Sequence, residues 1–438
     1  MPSGFKMERI KLNEKKKFYF LGIGGISMST LAVFLKSMGN IVSGSDTNRS
    51  KSTEILEEEG IEGDFCFEKR KIESADYVIY SSAIKDGNEQ FEFAKSLGKR
   101  LAVRGELLGE ISKQFEKVIA VAGSHGKTTT TAMIYEILKV AGKNPTLHLG
   151  GFRCEDDMPF FKGGEEFFVT ESCEYCDNFL YLHPFISVVT NVEREHMDYF
   201  KTFDRQLESF ETFKKQSKFL VEGAGEYSAK YITHKKNGKM SFSLFKGKEK
   251  IMRLNLQIFE EINAQNCIYA YQVGKLLGLS DLQIKEGLEN FKGVRTRFEK
   301  VRCAKFENVI CDYSHHPTEI SKAILSARKI FKNRKLIVVF QPHTYSRTKN
   351  LLDEFLSVLK TADVPLIYKT YSAREKEEEG ISAEKLASLL VFENKNTKYI
   401  ENFEKLEKQL SKFSYEDVVM FVGAGDLPSV LHKNNFIS

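Results

Sequence analysis

The residues best suited to chemistry form one short segment in the middle of the chain, Gly123-Ser124-His125-Gly126-Lys127-Thr128-Thr129. An apolar, β-branched run precedes it and a helix-forming stretch follows, which gives the order strand, glycine turn, helix. Such turns let backbone N–H groups approach phosphate oxygens, and a helix N-terminus favours negative charge. Lys127 can supply a charge for the β- and γ-phosphates, and the Thr128 hydroxyl can ligate Mg²⁺. Only two residues separate the glycines, where the common loop has four. We therefore expect a specialised ATP site, with a ligand-free turn as the alternative.

A second glycine turn lies near the N-terminus, Gly22-Ile23-Gly24-Gly25-Ile26-Ser27-Met28-Ser29. It follows a predicted strand and opens a predicted helix, and Asp46 stands at the end of the next strand. This arrangement is typical of a fold that binds a diphosphate at the helix tip and a ribose through the acid. The third-glycine region holds Met28 and Ser29, so NAD, another diphosphate-linked nucleotide and a ligand-free turn all remain open.

Three further polar groups follow predicted strands or open a helix in the middle of the sequence. Glu171 and His196 each stand at or just beyond a strand end, where a carboxylate or imidazole can bind Mg²⁺ beside a phosphate loop. Asn263 and Asn266 open a helix, so their amides can read an adenine edge or simply cap that helix.

Two more groups of polar residues, here called the C-terminal constellations, lie at the ends of predicted strands in the C-terminal third of the sequence. The first is Asp312-Tyr313-Ser314-His315-His316-Pro317-Thr318-Glu319, in which the proline begins a helix. The second is Phe340-Gln341-Pro342-His343-Thr344-Tyr345-Ser346-Arg347-Thr348. Arg347 has the planar fork that grips a carboxylate through two hydrogen bonds, although a surface arginine is the alternative.

These residues need a scaffold of alternating strands and helices. Predicted strands in the first segment are residues 17–21, 41–45 and 77–80, with helices 26–38 and 51–59 between them. Strands 166–170 and 186–190 and helix 264–277 follow in the middle segment, where residues 223–250 read as polar and irregular. Strands 309–312, 336–340, 365–369 and 418–422, with helix 352–360, repeat the rhythm. Residues 375–379 read as a solvated charged loop. The pattern predicts an α/β protein with parallel sheets.

Composition narrows the class of protein without defining it. The chain has 438 residues, a length typical of about three domains, and its net charge of +5 is spread along the sequence. A positive charge of this size, spread along the sequence, does not indicate a basic surface for nucleic acid, and it suits small anionic substrates. We find no apolar run of membrane-spanning length and no signal peptide, so we expect a cytoplasmic protein without membrane insertion.

Taken together and in their order along the sequence, these motifs resemble those of the Mur ligase family over nearly the whole chain. The stretch Ser81-Ser82-Ala83-Ile84 belongs to the same resemblance. It implies three domains in series: a Rossmann-like domain for a UDP-sugar over residues 1–112, a central P-loop ATPase domain over 113–297 and a Rossmann-like domain for an amino acid over 298–438.

The resemblance also implies roles for individual residues. The UDP-sugar would meet Gly24, Gly25, Ile26, Ser27, Asp46, Ser82 and Arg104. ATP would meet Gly123, Ser124, His125, Gly126, Lys127, Thr128, Thr129, Asn263, Asn266, Arg297 and Asp312. Thr128, Glu171 and His196 would hold Mg²⁺, and the incoming amino acid would meet Tyr313, His315 and Arg347. Lys127, His196 and His315 would act in catalysis.

The activity implied by the resemblance is ATP-dependent joining of L-alanine to the carboxylate of UDP-N-acetylmuramate, by a monomer or homodimer. A ligase that attaches a whole tripeptide to the same sugar nucleotide is the nearest alternative. A dinucleotide-dependent oxidoreductase and a non-catalytic nucleotide sensor are the remote ones. Thr344 stands where many members carry a second arginine, which leaves one guanidinium for the amino-acid carboxylate. Ser124 replaces the commoner threonine.

Overall fold

The structure, a computed structural model, describes residues 10–12, 14–64, 67–84, 87–235, 239–372, 375 and 381–437. The chain forms two compact units. The first contains Met1–Ile232, Ser241–Gln257 and Ile262–Lys292, and the second contains Thr233–Met240, Ile258–Glu261 and Gly293–Ser438. The boundaries predicted after residues 112 and 297 stay predictions.

The first unit begins with a doubly wound sheet. Its elements are β1 (Lys17–Leu21), α1 (Ile26–Ser37), β2 (Ile41–Ser45), α2 (Lys51–Glu58), β3 (Glu62–Asp64), α3 (Lys69–Ser74), β4 (Tyr77–Tyr80), α4 (Glu89–Ser96), β5 (Arg100–Val103) and α5 (Arg104–Ser112). The strand order is β3-β2-β1-β4-β5, and every pair is parallel. Phe18, Tyr19 and Phe20 are buried in succession because helices cover both faces. The predicted Rossmann-like arrangement is confirmed.

A second sheet in the same unit carries the phosphate loop. The elements are β6 (Lys117–Ala122), α6 (Lys127–Val140), β7 (Thr146–His148), β8 (Phe160–Phe161), β9 (Phe167–Glu171), a 3₁₀ segment (Tyr175–Tyr181), β10 (Ile186–Val189), α7 (Met197–Phe200), α8 (Phe203–Lys215), β11 (Phe219–Glu222), α9 (Ile262–Leu276) and α10 (Asp281–Asn290). Three further strands lie between β11 and α9 in the sequence: β12 (Tyr227–Lys235), β13 (Lys239–Lys246) and β14 (Glu249–Leu256). Of these, the stretch Thr233–Met240 belongs to the second unit. The order β11-β10-β6-β9-β7-β8 places β6 between β9 and β10. The segments that follow these three parallel strands therefore meet at one edge.

The prediction of an irregular stretch over residues 223–250 was wrong. Strands β12, β13 and β14 form a separate three-stranded sheet in that order. Met240, Phe242 and Leu244 alternate with serines along β13 and are buried, which is the period-two pattern of a strand. Many lysines and glutamates around this stretch hid that alternation.

The second unit is built on one mixed sheet. Its elements are β15 (Glu299–Val301), β16 (Asn308–Asp312), α11 (Pro317–Ile330), β17 (Leu336–Phe340), α12 (Tyr345–Asn350), α13 (Leu352–Leu359), β18 (Val364–Tyr368), α14 (Ala383–Glu393), β19 (Lys398–Ile400), α15 (Phe403–Leu410), β20 (Val418–Val422) and α16 (Leu427–Lys433). The order is β15-β16-β20-β17-β18-β19, with only the edge strand β15 antiparallel. Both β16 and β17 pair with β20, so the two C-terminal constellations leave the sheet at the same edge. In the described part of the chain, no helix has the length and apolar character needed to cross a membrane.

Candidate active site

Two glycines define the shape of the phosphate loop between β6 and α6. Gly126 has φ +81° and Gly123 has φ +131°, a region that side chains disfavour. A Cβ added at Gly123 would lie 2.2 Å from Thr190 Oγ1, and one at Gly126 would lie 2.6 Å from Asn266 Oδ1. Helix α6 begins directly at Lys127, so its N-terminus faces the loop. The strand, turn and helix predicted for a phosphate site are therefore present, with both glycines required.

The segment after β10 braces this loop. The N–H of Ser124 donates to Asn191 O at 3.0 Å, and that of His125 donates to Asn191 Oδ1 at 2.9 Å. The Ser124 hydroxyl donates to Glu193 O at 3.2 Å, and Glu193 Oε2 lies 3.2 Å from His125 Nε2. The side chains of Ser124 and His125 are thus used to hold the loop, and their contact with ATP stays a prediction.

Lys127 forms an ion pair with Glu174, a residue that was not predicted from the sequence. Its ammonium donates to Ser124 O at 3.2 Å and to Glu174 Oε1 at 3.3 Å, and the Glu174 side chain is completely buried. Burial lowers the pKa of Lys127, but the carboxylates of Glu174 and Glu195 outweigh it and hold that pKa above its ordinary value. Lys127 therefore stays charged.

Glu174 also belongs to a set of groups suited to a metal ion. One ligand atom each of Glu174, Glu195 and His196 lie within 4.8 Å of one another, and His196 Nε2 is 3.7 Å from Glu174 Oε1. The other oxygen, Glu174 Oε2, is buried and accepts no hydrogen bond from the described residues. A buried carboxylate oxygen without a partner is costly, and Mg²⁺ prefers oxygen ligands, so this set fits a divalent cation.

The two other predicted Mg²⁺ ligands lie on neighbouring elements. Thr128 is in the first turn of α6 and is buried. Glu171 ends β9, and its Oε2 accepts a hydrogen bond from the N–H of Gly150 at 2.9 Å. Their roles as ligands stay predictions. Thr129, predicted to contact ATP, is buried in the same turn as Thr128.

Asn263 and Asn266 lie in the first turns of α9, where both are buried. Asn266 Nδ2 donates to Asn263 Oδ1 at 3.0 Å, and Asn266 Oδ1 lies against Gly126. The pair is therefore placed beside the phosphate loop, and its predicted contact with adenine stays untested.

The glycine turn after β1 is held by the acid predicted to bind a ribose. Gly24 N–H donates to Asp46 Oδ2 at 2.9 Å, and a Cβ at Gly24 would lie 3.0 Å from that oxygen. Gly25 precedes α1, which begins at Ile26, and no side chain caps it. The N-terminal N–H groups of α1 thus remain suited to an anion, as predicted for a diphosphate.

Three of the residues predicted to bind the sugar nucleotide, Ser27, Ser82 and Arg104, take part in hydrogen bonds near the start of α5. Arg104 Nη1 donates to Ser27 Oγ at 2.9 Å. Asn178 Nδ2 donates to Ser82 Oγ at 3.0 Å, and Asn178 Oδ1 accepts from Gly105 N–H at 3.1 Å. Asn178 was not predicted; it lies in the 3₁₀ segment that follows β9. It links the end of β4 to the start of α5.

In the second unit, Asp312 is the last residue of β16, and its carboxylate accepts hydrogen bonds from backbone N–H groups. Its two oxygens accept from the N–H of Phe298 at 2.7 Å and of Ser314 at 2.9 Å. Burial raises the pKa of Asp312 above its ordinary value. The Arg297 guanidinium lies 4.9 Å from the centre of the Tyr313 ring. The predicted contacts of Arg297 and Asp312 with a nucleotide stay predictions.

The predicted amino-acid residues converge around a histidine that was not predicted. The ring of His315 lies 5.4 Å from that of Tyr313 and 6.0 Å from that of His343, and Arg347 Nη1 is 3.4 Å from His343 Nδ1. The pKa of both histidines is lowered to about 4, mainly by burial and in addition by the charge of Arg347, with Glu319 opposing the shift at His315. Both imidazoles are neutral at pH 7, so Arg347 is the cation of the cluster.

Thr344 prepares the position of Arg347. It adopts φ +67°, which is unusual for a β-branched residue, and its hydroxyl accepts from the N–H of Arg347 at 3.4 Å. Glu375 binds the next turn, because its Oε2 accepts from the N–H of Ser346 at 2.9 Å. Of the predicted charged loop 375–379, only Glu375 is among the described residues, and it is engaged with α12.

Comparison with known proteins places this site in a family. Residues 17–116 match the catalytic domain of the Mur ligase family, residues 121–263 match the Mur ligase middle domain, and residues 296–425 match the Mur ligase glutamate ligase domain. The chain belongs to the Mur ligase family, and its three domains follow one another in series.

The similar proteins narrow the likeness to one type of ligase. The UDP-N-acetylmuramate–L-alanine ligase of Caldanaerobacter subterraneus subsp. tengcongensis is 36% identical over 97% of this chain and 98% of its own length. That of Caldicellulosiruptor saccharolyticus is 37% identical over 94% and 96%. The crystal structure of UDP-N-acetylmuramate-alanine ligase from Thermotoga maritima matches with a TM-score of 0.83 and 26% identity, over 95% of this chain and 98% of that one. A murein peptide ligase from Psychrobacter arcticus has a TM-score of 0.67 at 20% identity, which shows the fold alone.

Proposed function

We propose that this chain joins L-alanine to the lactyl carboxylate of UDP-N-acetylmuramate at the expense of ATP, a step in peptidoglycan precursor synthesis. Support comes from full-length relatives of that activity and from one observation in particular. This is the buried pair of Lys127 and Glu174 beside a phosphate loop, together with His196.

The reaction needs ATP because a free carboxylate is a poor electrophile. The carboxylate oxygen attacks the γ-phosphorus, the bond to the β-phosphate oxygen breaks, and an acyl phosphate and ADP form. The amine of L-alanine then attacks the acyl carbon, loses a proton and displaces inorganic phosphate. Phosphoryl transfer of this kind depends mostly on positioning and on neutralising charge.

The phosphate loop supplies these two requirements. Lys127 is held charged by Glu174, so it brings a positive charge to the β- and γ-phosphates without first taking up a proton. The N-terminus of α6 presents unpaired N–H groups to the same phosphates. The brace from Asn191 and Glu193 fixes the loop in advance, which lowers the reorganisation cost during transfer.

Mg²⁺, when bound, would screen the phosphate charge and make the γ-phosphorus easier to attack. Glu174, Glu195 and His196 fit such an ion by their donor atoms and by the unpartnered Glu174 Oε2. Thr128 and Glu171 are the further ligands that we propose from the family resemblance.

The amino acid is proposed to bind in the second unit through Arg347. Its guanidinium matches a carboxylate, and the neutral rings of His315 and His343 add hydrogen-bonding groups without adding charge. We place the enzyme in the cytoplasm, where ATP and the sugar nucleotide are available, as a monomer or homodimer.

Phosphate release from ATP tests this function and its alternatives. With UDP-N-acetylmuramate and Mg²⁺, release should require L-alanine and should yield a sugar nucleotide heavier by one alanyl residue in mass spectrometry. Faster turnover with L-alanyl-γ-D-glutamyl-meso-diaminopimelate would favour the tripeptide ligase. ATP binding without amino-acid-dependent release would favour the nucleotide sensor, and tight NAD⁺ binding with no response to the UDP-sugar would favour the oxidoreductase.

A further inference from the structure

A buried histidine connects the sugar-nucleotide loop to the central sheet. His148 ends β7 and is 1% exposed. Its Nε2 lies 2.8 Å from Ser27 Oγ, and its Nδ1 lies 2.9 Å from Thr170 Oγ1 on the neighbouring strand β9. None of the motifs of the sequence analysis includes this residue.

The hydrogen bonds fix which way each proton points. The Thr170 hydroxyl donates to Glu171 O at 3.1 Å, so its oxygen must accept from His148 Nδ1–H. His148 Nε2 is then unprotonated and accepts from the Ser27 hydroxyl. In the other tautomer, His148 Nε2–H would donate to Ser27 Oγ, which already accepts from Arg104, and the Ser27 hydrogen would have no acceptor among the described residues.

Arg104 is the first donor of this series of hydrogen bonds, and it is one of the residues predicted to bind the sugar nucleotide. Because a guanidinium can only donate, Arg104 Nη1 donates to Ser27 Oγ, whose own hydrogen already points to His148. Burial, and then the charge of Arg104, lower the pKa of His148 to about 3, so the imidazole is neutral at pH 7 and remains an acceptor. The hydrogen bonds therefore run from Arg104 through Ser27 to His148 Nε2, and from His148 Nδ1 through Thr170 to Glu171 O.

We propose that His148 is a positioning residue for the sugar nucleotide, because it orients Ser27 and, through Ser27, holds the Arg104 guanidinium beside the first turn of α1. This inference rests on the proposed function and on the predicted roles of Ser27 and Arg104. It adds a residue from the middle sheet to the binding of a ligand assigned to the N-terminal sheet.

The strand that carries His148 is a rigid support for this role. Leu147 is completely buried, and β7 pairs with β9 in register. Two residues beyond His148, the N–H of Gly150 binds the carboxylate of Glu171. The end of β7 therefore contacts both Ser27, a predicted sugar-nucleotide residue, and Glu171, a predicted Mg²⁺ ligand, and the sheet fixes the position of His148 between them.

Three substitutions at one position separate positioning from packing. His148→Phe keeps the ring and removes both hydrogen bonds. His148→Asn offers an amide near the Nδ1 position only, whereas His148→Gln can place an acceptor near the Nε2 position that serves Ser27. We expect Phe and Asn to raise KM for UDP-N-acetylmuramate about fivefold to tenfold, the range for one lost hydrogen bond that positions a charged group. We expect His148→Gln to recover most of that loss, with kcat and KM for ATP nearly unchanged in all three.

Thr146→Val is the matched control. Thr146 lies two residues earlier on the same face of β7 and is buried. Among the described residues, its hydroxyl bonds only to the segment after β8: it donates to Gly164 O at 2.9 Å and accepts from Gly163 N–H at 3.0 Å. It should lower the melting temperature without changing KM for the sugar nucleotide.

A double variant tests the path through Ser27. If His148 acts through Ser27, then His148→Phe should change KM for the sugar nucleotide much less in a Ser27→Ala background than in the wild-type protein. Equal effects in both backgrounds, an equal rise in KM for Thr146→Val, or folded Phe and Asn variants with wild-type KM would each overturn the proposal. Failure of the wild-type protein itself to bind UDP-N-acetylmuramate in calorimetry would instead overturn the proposed function.

Discussion

The phosphate-loop site in the first unit and the Arg347 cluster in the second handle charge in opposite ways. In the first, the ammonium of Lys127 lies 3.3 Å from a completely buried carboxylate, that of Glu174. In the second, Arg347 lies beside His343, and burial keeps the rings of His343 and His315 neutral. The first site pairs its cation with a completely buried carboxylate, and the second places its cation beside neutral imidazole rings.

The difference follows from the ligands that we propose for each site. ATP with Mg²⁺ brings charges of both signs, and the first site offers both a lysine for the phosphates and carboxylates for the metal ion. A small amino acid brings one carboxylate, and a single guanidinium is enough for it. Substitutions in the first site should therefore change stability and turnover together, whereas those in the second should change mainly ligand affinity.

The largest effect is expected for Lys127→Ala. Loss of this charge should lower kcat by about two to three orders of magnitude, as for other groups that stabilise transition-state charge. The change also leaves Glu174 buried without its cation, so the melting temperature should fall.

The double variant Lys127→Ala/Glu174→Gln separates these two effects. Removing both charges should recover most of the melting temperature while phosphate release stays low. A folded double variant with wild-type turnover would contradict the role of Lys127 in ATP activation, and Glu174→Gln alone is the matched reference.

Arg347→Ala should have the next largest effect, and this effect should be confined to KM for L-alanine. Loss of a desolvated pair with a carboxylate costs about 2 kcal/mol or more, which raises KM for L-alanine roughly 30-fold. KM for ATP should stay nearly unchanged. Arg347→Lys keeps the charge without the fork and should lie between the two. With Thr344 in place of a second arginine, glycine and L-serine should also be accepted, more weakly. An unchanged KM for L-alanine would place the amino-acid site elsewhere.

The Mg²⁺ requirement distinguishes Glu174 from Glu171. Glu174→Gln and His196→Ala should each raise the Mg²⁺ concentration for half-maximal phosphate release by at least about tenfold, because their donor atoms lie together. Glu171→Gln should raise it less, since its carboxylate already accepts from Gly150. If Glu171→Gln has the larger effect, the ion lies nearer the end of β9 than the cluster indicates.

The strands that position these sites could be predicted from the sequence with little error. Strands β1, β2, β4, β17 and β20 have the predicted bounds, because parallel strands covered on both faces are short apolar runs between glycines and polar turns. The β12–β14 region was not predicted, because the serines of β13 and the surrounding lysines and glutamates obscured the alternation of its apolar residues.

The site could be predicted only where its residues form a local motif. Lys127 and the glycines beside it are such a motif. Glu174, His343 and His148 were missed for a different reason. Each gains its role from a partner more than 20 residues away or on another element, respectively Lys127, the ring of His315 and the pair Ser27 and Thr170. The order of the strands in each sheet brings these groups together, and that order cannot be predicted from the spacing of residues within a short motif.

The smallest predicted effect concerns the neutral His343 ring of the Arg347 cluster, and it is tested by the pH dependence of the melting temperature. Burial, and then the charge of Arg347, lower the pKa of His343 to about 4 from an ordinary value of 6.5. Between these values the unfolded chain binds a proton that the folded protein does not, so acidification through this window favours unfolding. His343→Asn removes that contribution.

At pH 7.5 the variant should melt below the wild-type protein, because it loses ring packing against His315 and Tyr371. As the pH falls to 5, the difference between the two melting temperatures should shrink by a few degrees. Glu260, whose pKa burial raises to about 8, has the opposite pH dependence, but it is present in both proteins and cancels in the difference. A difference that stays constant from pH 7.5 to 5 would mean that His343 titrates alike in the folded and unfolded protein. Arg347 would then not lie beside a neutral imidazole, and the contrast with the charged pair of Lys127 and Glu174 would fail.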